Sequence, residues 1–212
     1  MICILCSSES TLKCFEDKSR AYFCCQNCSL IFVPRDSLLD PLEEKKRYDN
    51  HQNSDQDPRY RDYLTKTIVE IVPFLGTGAK GLDFGCGSSH LMEKIFFERG
   101  YKVDSYDLYY HPNEEIWQRK YDFIVLSEVI EHLAKPKETM EQLRSLLSPG
   151  GQIFIKTKYY PESLASFGSW FYKNDPTHIQ FFNQQAMGSL ARMLQLNGPE
   201  SLPCQDLVRL WD

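Results

Sequence analysis

The amino-acid sequence predicts an α/β protein with a doubly wound, mostly parallel sheet and a small cysteine-rich segment in front of it. Two observations support this: apolar and amphipathic segments alternate regularly after residue 58, and two C-x2-C pairs lie before residue 30. Such alternation places parallel strands in one sheet with right-handed crossovers. With 212 residues, 42% of them hydrophobic, the chain can form one well-buried domain and a small appendage. We therefore divide it into residues 1–57 and residues 58–212.

The first helix of the larger part is predicted to begin at Asp57 and Pro58. Asp57 is a good N-cap residue, proline suits the first helical position, and apolar residues then recur at helical spacing. The next segment, "KGLDFGCGSSHLMEKIFFERG", predicts a strand, a glycine turn and a helix that Ser88 or Ser89 caps and Gly100 ends.

The remaining segments continue the alternation of strands and helices. They comprise three further strands, two amphipathic helices and one short strand that ends the chain. In chain order these are "YKVDSYD" (strand), "YDFIVLSEV" (strand), "PKETMEQLRSLLSPGG" (helix), "QIFIKTK" (strand), "NQQAMGSLARMLQLNG" (helix) and "DLVRLWD" (strand).

Composition limits the partners and the compartment. The formal net charge is -5, which argues against nucleic acid as the main partner because an acidic surface gains no attraction to phosphates. No run of eighteen apolar residues is present, so we expect no membrane span. The N-terminal "MICILCSSES" lacks a basic n-region and a long apolar h-region, so we expect a cytoplasmic protein.

Four cysteines form the pattern C-x2-C-x18-C-x2-C, which is typical of one tetrahedral zinc ion. All four positions are cysteine, so the site is predicted to be structural and to supply most of the folding energy of this zinc ribbon. Cys24 is a poorer alternative to Cys25, and Cys14 is predicted to be free. Up to residue 58 there are seven Lys or Arg against ten Asp or Glu, which favours a scaffold or substrate lid over a nucleic-acid reader. The predicted ligands are Cys3, Cys6, Cys25 and Cys28.

The stretch "LDFGCG" predicts a ligand-binding turn. Gly85 and Gly87 let the backbone turn sharply and approach a ligand at the carboxyl end of the first strand of the larger part. The dinucleotide pattern G-x-G-x-x-G is absent, since Ser88, Ser89 and a histidine follow. Asp83, just before the turn, suits a cationic amino-acid ligand better than a pyrophosphate.

Together with three later motifs, this turn resembles the class I S-adenosylmethionine-dependent methyltransferases over roughly residues 60 to 212. The later motifs are "VDSYDLYYHP", "YDFIVLSEVIEHL" and "LLSPGGQIFI". The resemblance implies a Rossmann-like sheet and S-adenosylmethionine as cofactor. Only fifteen positions separate Asp107 from Asp122, so the sheet should be trimmed near the family's third strand. The implied cofactor-binding residues are Asp83, Gly85, Cys86, Gly87, Asp107, Leu108 and Glu128.

The stretch "SEVIEHL" suggests a second site on the acceptor side. Glu128, Glu131 and His132 would share neighbouring faces if they begin a helix, and His178 in "WFYKNDPTHIQFF" follows the next strand. This pattern resembles the divalent-metal site of small-RNA 3′-terminal 2′-O-methyltransferases, and E-x-x-E-H also occurs in ubiquinone-pathway O-methyltransferases. The resemblance implies that all four residues bind a divalent ion such as Mn, Zn or Fe.

Two other interpretations of these residues remain open. His178 could act as a metal-free base, or the acids could simply stabilise a helix N-terminus. We assign catalysis to His178, Glu131 and His132.

The predicted function is O-methylation of a hydroxyl on a small molecule or sugar-like metabolite. The alternatives are an RNA methyltransferase that reads RNA with its zinc ribbon, a sugar C-methyltransferase, and a non-catalytic interaction module.

Overall fold

The computed structural model describes residues 1–50, 54–204 and 206–212; residues 51–53, part of the predicted linker, and residue 205 lie outside this description. It contains a six-stranded and a four-stranded sheet. The strands are β1 (Thr11–Glu16), β2 (Ala21–Cys25), β3 (Ile31–Phe32), β4 (Lys80–Phe84), β5 (Lys102–Tyr106), β6 (Tyr121–Ser127), β7 (Leu147–Lys156), β8 (Gln180–Phe181), β9 (Asn197–Ser201) and β10 (Leu207–Trp211). The α-helices are α1 (Pro41–Asp49), α2 (Pro58–Ile71), α3 (Leu91–Phe97), α4 (Pro136–Ser145), α5 (Leu164–Ser169) and α6 (Gln184–Met193).

The six-stranded sheet confirms the predicted α/β fold. Its order is β5-β4-β6-β7-β10-β9, with parallel pairing from β5 to β7 and antiparallel pairing at β10 and β9. The trimmed edge is also confirmed: residues 107–120 contain a 3-10 turn, Glu114–Gln118, and no further strand, so β5 ends the sheet. The C-terminal end carries one more strand, β9, than the sequence predicted.

Helix α2 forms where its capping residues and apolar spacing predict it. The Asp57 carboxylate accepts a hydrogen bond from Arg59 N–H at 2.9 Å, and Pro58 takes the first helical position. Its apolar face, including Leu64 and Ile68, is buried in one core cluster with α3. None of the helices in the described ranges is long and apolar enough to cross a bilayer.

The small sheet consists of β1, β2, β3 and β8. Three of its strands thus come from the N-terminal segment, and β8 comes from the C-terminal half of the chain. Ile31 pairs with Phe181 and Phe32 pairs with Gln180, in antiparallel register. Phe32 belongs to the same buried cluster as residues of the six-stranded sheet. The N-terminal segment therefore packs against the larger domain, and the backbone hydrogen bonds between β3 and β8 join the two.

The helix start that the spacing of "SEVIEHL" allowed does not form. Glu128 has a left-handed backbone with φ of 56°, and Ile130–His132 form a single 3-10 turn. Helix α4 begins only at Pro136. A residue with a left-handed backbone, such as Glu128, cannot be part of a right-handed α-helix. Proline, by contrast, is well suited to the first turn of a helix, as at Pro136.

The prediction that Cys14 is free is wrong, because Cys14 and Cys24 form a disulfide across the β1–β2 hairpin. The antiparallel pairing brings their Cα atoms to 5.7 Å, within the range that a disulfide spans. Sequence separation alone did not reveal this pairing.

Gly81 in β4 has no room for a side chain. A Cβ atom there would lie 2.3 Å from Cζ of the buried Phe123 ring in β6. We expect Gly81→Ala to lower the free energy of unfolding by about 1–3 kcal/mol, because the ring must shift in a packed core. Urea unfolding measures this.

Gly76→Ala is the matched control, since a Cβ atom there meets nothing within 4 Å. It should leave stability unchanged or raise it by up to about 1 kcal/mol. Equal unfolding midpoints for the two variants would contradict the packing argument.

Candidate active site

The glycine turn after β4 leaves space for a ligand. Gly85 and Gly87 have φ of 83° and 66°, conformations that side-chain-bearing residues rarely adopt. A Cβ atom on Gly85 would lie 2.4 Å from Val129 Cγ2, whereas one on Gly87 would meet nothing within 4 Å. The turn is therefore packed on one side and open on the other.

Asp107 fastens this turn to the loop that follows β5. One carboxylate oxygen accepts a hydrogen bond from Gly87 N–H at 3.0 Å. The other accepts from the N–H groups of Tyr109 and Tyr110 at 2.8 and 3.1 Å. A carboxylate with three backbone donors is held in one orientation. The neighbouring Leu108 is largely exposed, and Cys86 inside the turn is buried.

Asp83 is a buried carboxylate next to the turn. Burial raises its pKa to about 7, with a smaller contribution from the carboxylates of Glu93 and Asp107. A nearby cation would favour its charged form. Tyr60 of α2 lies close enough for Asp83 to help raise the tyrosine pKa, although burial is the larger cause. The position of Tyr60 beside Asp83 could not be predicted from the sequence, because a tyrosine in an amphipathic helix carries no specific signal.

Glu131, His132 and His178 meet at the carboxyl end of β6. Each offers one ligand atom, and these atoms all lie within 4.8 Å of one another. The two imidazole rings are 4.7 Å apart between centroids. Glu128, the fourth predicted ligand, is not in this group: one of its carboxylate oxygens accepts a hydrogen bond from Tyr63 and the other lies beside the Tyr172 hydroxyl. The site cluster therefore comprises three residues.

Both histidines are oriented by backbone carbonyl groups. His132 Nδ1 lies 2.9 Å from the carbonyl oxygen of Thr177, and His178 Nδ1 lies 2.6 Å from that of Tyr172. A carbonyl oxygen only accepts, so each Nδ1 carries the proton and each Nε2 has the lone pair in the neutral ring. Metal-binding histidines are commonly oriented in this way.

The Glu131 carboxylate is fully buried, and one of its oxygens is unsatisfied. Oε1 accepts a hydrogen bond from the Tyr172 hydroxyl, whereas Oε2 has no partner among the described residues. Burial, followed by the nearby Glu128 carboxylate, raises the pKa of Glu131 to about 8. A buried carboxylate oxygen beside two imidazoles fits a divalent cation, which would supply the missing partner.

The Tyr172 hydroxyl links Glu131 to Glu128. It lies 2.8 Å from Glu128 Oε2, and Tyr63 of α2 donates to the other Glu128 oxygen at 3.1 Å. The Tyr172 hydroxyl has one proton, so it can donate to only one of these two carboxylates at a time. Tyr63 was not predicted, because only the tertiary structure brings α2 to this edge of the sheet.

The four cysteines predicted to bind zinc also converge. Their sulfur atoms all lie within 4.8 Å of one another, with Cys3 and Cys28 at 3.6 Å and Cys6 and Cys25 at 3.5 Å. Four thiol groups at this separation fit the donor set of a tetrahedral zinc ion. Cys25, and not Cys24, belongs to the group.

The sheet order, the open glycine turn and the acid after β5 define the fold of S-adenosylmethionine-dependent methyltransferases. Residues 55–198 match the family model described as a methyltransferase domain, and the chain belongs to that family. The resemblance noted in the sequence is therefore confirmed for this class of enzyme.

Two curated relatives match part of the chain. The ubiquinone biosynthesis O-methyltransferase of Paraburkholderia phytofirmans is 28% identical over 90 residues, which are 42% of this chain and 39% of the relative. The protein of the same name from Klebsiella pneumoniae is 27% identical over 90 residues, 42% of this chain and 37% of the relative. The chain thus spans less than half the length of these relatives.

Two solved structures share the fold. A 1,6-didemethyltoxoflavin-N1-methyltransferase from Burkholderia thailandensis, with bound S-adenosylhomocysteine, has a TM-score of 0.57 at 16% identity, covering 94% of this chain and 98% of that one. An O-methyltransferase family protein from the same species has a TM-score of 0.52 at 15% identity, covering 79% and 61%. At this identity the likeness concerns the fold alone.

Tyr172→Phe should destabilise the protein by about 1–3 kcal/mol, because the buried Glu131 loses its hydrogen-bond donor. Urea unfolding at neutral pH measures the change.

Tyr159→Phe is the matched control: the Tyr159 hydroxyl is buried without a hydrogen-bond partner in the part of the chain that the structure describes. Its removal should be neutral or stabilising. If both variants lose the same stability, the Tyr172 hydroxyl does not support Glu131.

Proposed function

We propose that this protein transfers a methyl group from S-adenosylmethionine to a hydroxyl group of a small molecule or sugar-like metabolite. The cluster of the buried Glu131 and His178 with the partly buried His132 carries this proposal. Glu131 and His132 follow the end of β6, at the same sheet edge as the glycine turn that follows β4. A hydroxyl is a poor nucleophile at neutral pH, and a cluster of this composition can assist its deprotonation.

In the proposed cofactor site, the chain supplies charge at two points. Asp83 attracts the ammonium of the methionine moiety, and Asp107, held by three backbone donors, faces the ribose hydroxyls. Gly85 and Gly87 allow the backbone to come close to the ligand. Cys86, Leu108 and Glu128 complete the proposed lining.

In the reaction, the acceptor oxygen attacks the methyl carbon of the sulfonium. The bond between that carbon and sulfur breaks, and its electron pair remains on the sulfur of S-adenosylhomocysteine. The hydroxyl proton must leave as the new carbon–oxygen bond forms. Alignment and deprotonation are thus the two tasks of the protein.

Glu131, His132 and His178 would hold a divalent ion, which when bound makes the acceptor hydroxyl easier to deprotonate. The carbonyls of Thr177 and Tyr172 keep both imidazoles in the required tautomer, and Tyr172 steadies Glu131. Without the ion, His178 Nε2 is the proposed base, because its Nδ1 already carries a proton. Metal analysis of the purified protein distinguishes the metal-dependent mechanism from the metal-free one.

Charge and similarity both favour a small acceptor. The net charge of -5 and the carboxylates at the site oppose a polyanion such as RNA. The curated relatives are named for O-methylation in ubiquinone biosynthesis, which supports oxygen as the methylated atom.

We further propose that residues 1–57 bind one structural zinc ion through Cys3, Cys6, Cys25 and Cys28, and that residues 58–212 form the catalytic domain. The support is the convergence of the four sulfur atoms in a segment too small to have a core of its own.

Two variants test the proposed function by separating cofactor binding from chemistry. Asp83→Asn should weaken S-adenosylhomocysteine binding about 10- to 100-fold, since a charged hydrogen bond is lost. His178→Ala should keep that affinity and lose methyl transfer by about 100-fold or more. Calorimetry measures binding. Transfer from radiolabelled S-adenosylmethionine is followed on a panel of catechols, sugars and short RNAs.

Full transfer by His178→Ala would refute its assignment. Absence of S-adenosylhomocysteine binding to the wild type would refute the enzyme function. Methyl transfer to RNA alone would show that the acceptor is RNA and not a small molecule.

Cys25→Ser should reduce the zinc content from about one ion per chain to well below it, because structural zinc requires four ligands. Elemental analysis measures this. Cys204→Ser, whose thiol lies outside the four-cysteine group, should retain zinc. Equal zinc in both variants would contradict the site.

A further inference from the structure

We propose that Arg20, in the N-terminal segment, is a positioning residue for the active site. It acts on the His178 loop, defined as residues 171–179, and through it on the orientation of His178 and His132. The proposal rests on the proposed function only in treating these two histidines as the catalytic side chains.

The Arg20 guanidinium binds three carbonyl groups of the His178 loop. Nη2 donates to the carbonyl oxygens of Lys173 and Asp175 at 2.5 and 3.0 Å, and Nη1 donates to that of Pro176 at 3.1 Å. A guanidinium presents five N–H donors in a rigid plane, so one side chain can gather several carbonyls at once. The loop is thereby folded around a side chain from a distant part of the sequence.

The same loop orients the two histidines through its other carbonyls. Tyr172 O accepts from His178 Nδ1, and Thr177 O accepts from His132 Nδ1. The three carbonyls bound by Arg20 thus lie between the two that hold the imidazoles. Tyr172 O and Lys173 O are on adjacent peptide units, as are Pro176 O and Thr177 O, so a shift of the loop backbone away from Arg20 would also move the carbonyls that orient the histidines.

Arg20 is itself held in place. Its Nε donates to the Tyr22 hydroxyl at 3.0 Å, and that hydroxyl donates to Asp17 at 3.0 Å. Asp17 also pairs at 2.8 Å with Lys173, whose side chain is only 4% exposed. Asp17, Arg20 and Lys173 therefore form a network between the β1–β2 hairpin and the loop.

Strand β2 connects this network to the four cysteines. Arg20 directly precedes β2, and Cys25 ends it. On the other side of the loop, Val33 N–H donates to Ile179 O and Ile179 N–H donates to Glu131 O, both at 2.9 Å. His178 thus lies between the Arg20 anchor and a ladder that runs from β3 to Glu131. The N-terminal segment therefore contacts the His178 loop on two sides, through Arg20 and through Val33.

The test follows the histidine rings directly. In ¹⁵N-labelled protein, hydrogen-bonded Nδ1–H groups of His132 and His178 should give resolved imidazole proton signals, assigned with His132→Ala and His178→Ala. Arg20→Ala should lose or shift both signals. It should also speed deuterium exchange of the peptide around residues 172–179 by about tenfold or more, because local opening becomes easier. Zinc content and S-adenosylhomocysteine affinity should stay within about twofold of wild type.

Arg144→Ala is the matched control, since Arg144 also bonds a backbone carbonyl, Leu194 O, and a carboxylate, Asp212. It should leave both histidine signals unchanged. Arg20→Lys keeps the charge but concentrates its donors at one point, so it should restore the signals only in part. This variant also serves if Arg20→Ala does not fold.

Unchanged histidine signals in both Arg20→Ala and Arg20→Lys would overturn the proposal, as would equal changes in Arg144→Ala. Failure of the proposed function would instead appear as loss of cofactor binding or of methyl transfer in the wild type, which the ring signals do not report.

Discussion

The parallel alignment of β4 with β5 on one side and β6 on the other is the constraint on which the rest of this structure depends. Parallel strands end at the same edge, so the turn at Gly85, the loop at Asp107 and the backbone at Glu128 all follow there. Hydrogen bonds between these connections complete the arrangement: Gly85 and Cys86 N–H donate to Tyr106 O, and Gly87 N–H donates to Asp107.

Two buried carboxylates make this edge costly to fold and suited to binding. Burial raises the pKa of Asp83 to about 7 and that of Glu131 to about 8. Each acid would be stabilised in its charged form by a cation. We propose a different cation for each: the ammonium of the cofactor at Asp83 and a divalent ion at Glu131. The protein thus accepts unfavourable burial where ligand charge is expected to offset it.

The sequence predicted the strands of the six-stranded sheet other than β9, the glycine turn and the convergence of the four cysteines, because each depends on neighbouring residues or on regular spacing. It was ambiguous at "SEVIEHL", where the spacing of Glu128, Glu131 and His132 allowed a helix start that does not form. The left-handed Glu128 backbone and Pro136 determined the local structure there. It failed at Cys14, since nothing in the spacing distinguishes a hairpin disulfide from two free thiols. Tyr60, Tyr63 and Arg20 had no recognisable pattern at all.

By itself, then, the sequence determined the class of protein: periodicity specified the α/β sheet, and short motifs specified the glycine turn and the four cysteines that converge. Only the tertiary structure decided which side chains come together as the proposed acceptor site. Glu131 and His178 are far apart in the chain, and their approach depends on the pairing of β3 with β8 and on Arg20 binding the carbonyls of the His178 loop. Such long-range backbone contacts leave no mark on local residue patterns, because any residue can supply the carbonyl groups.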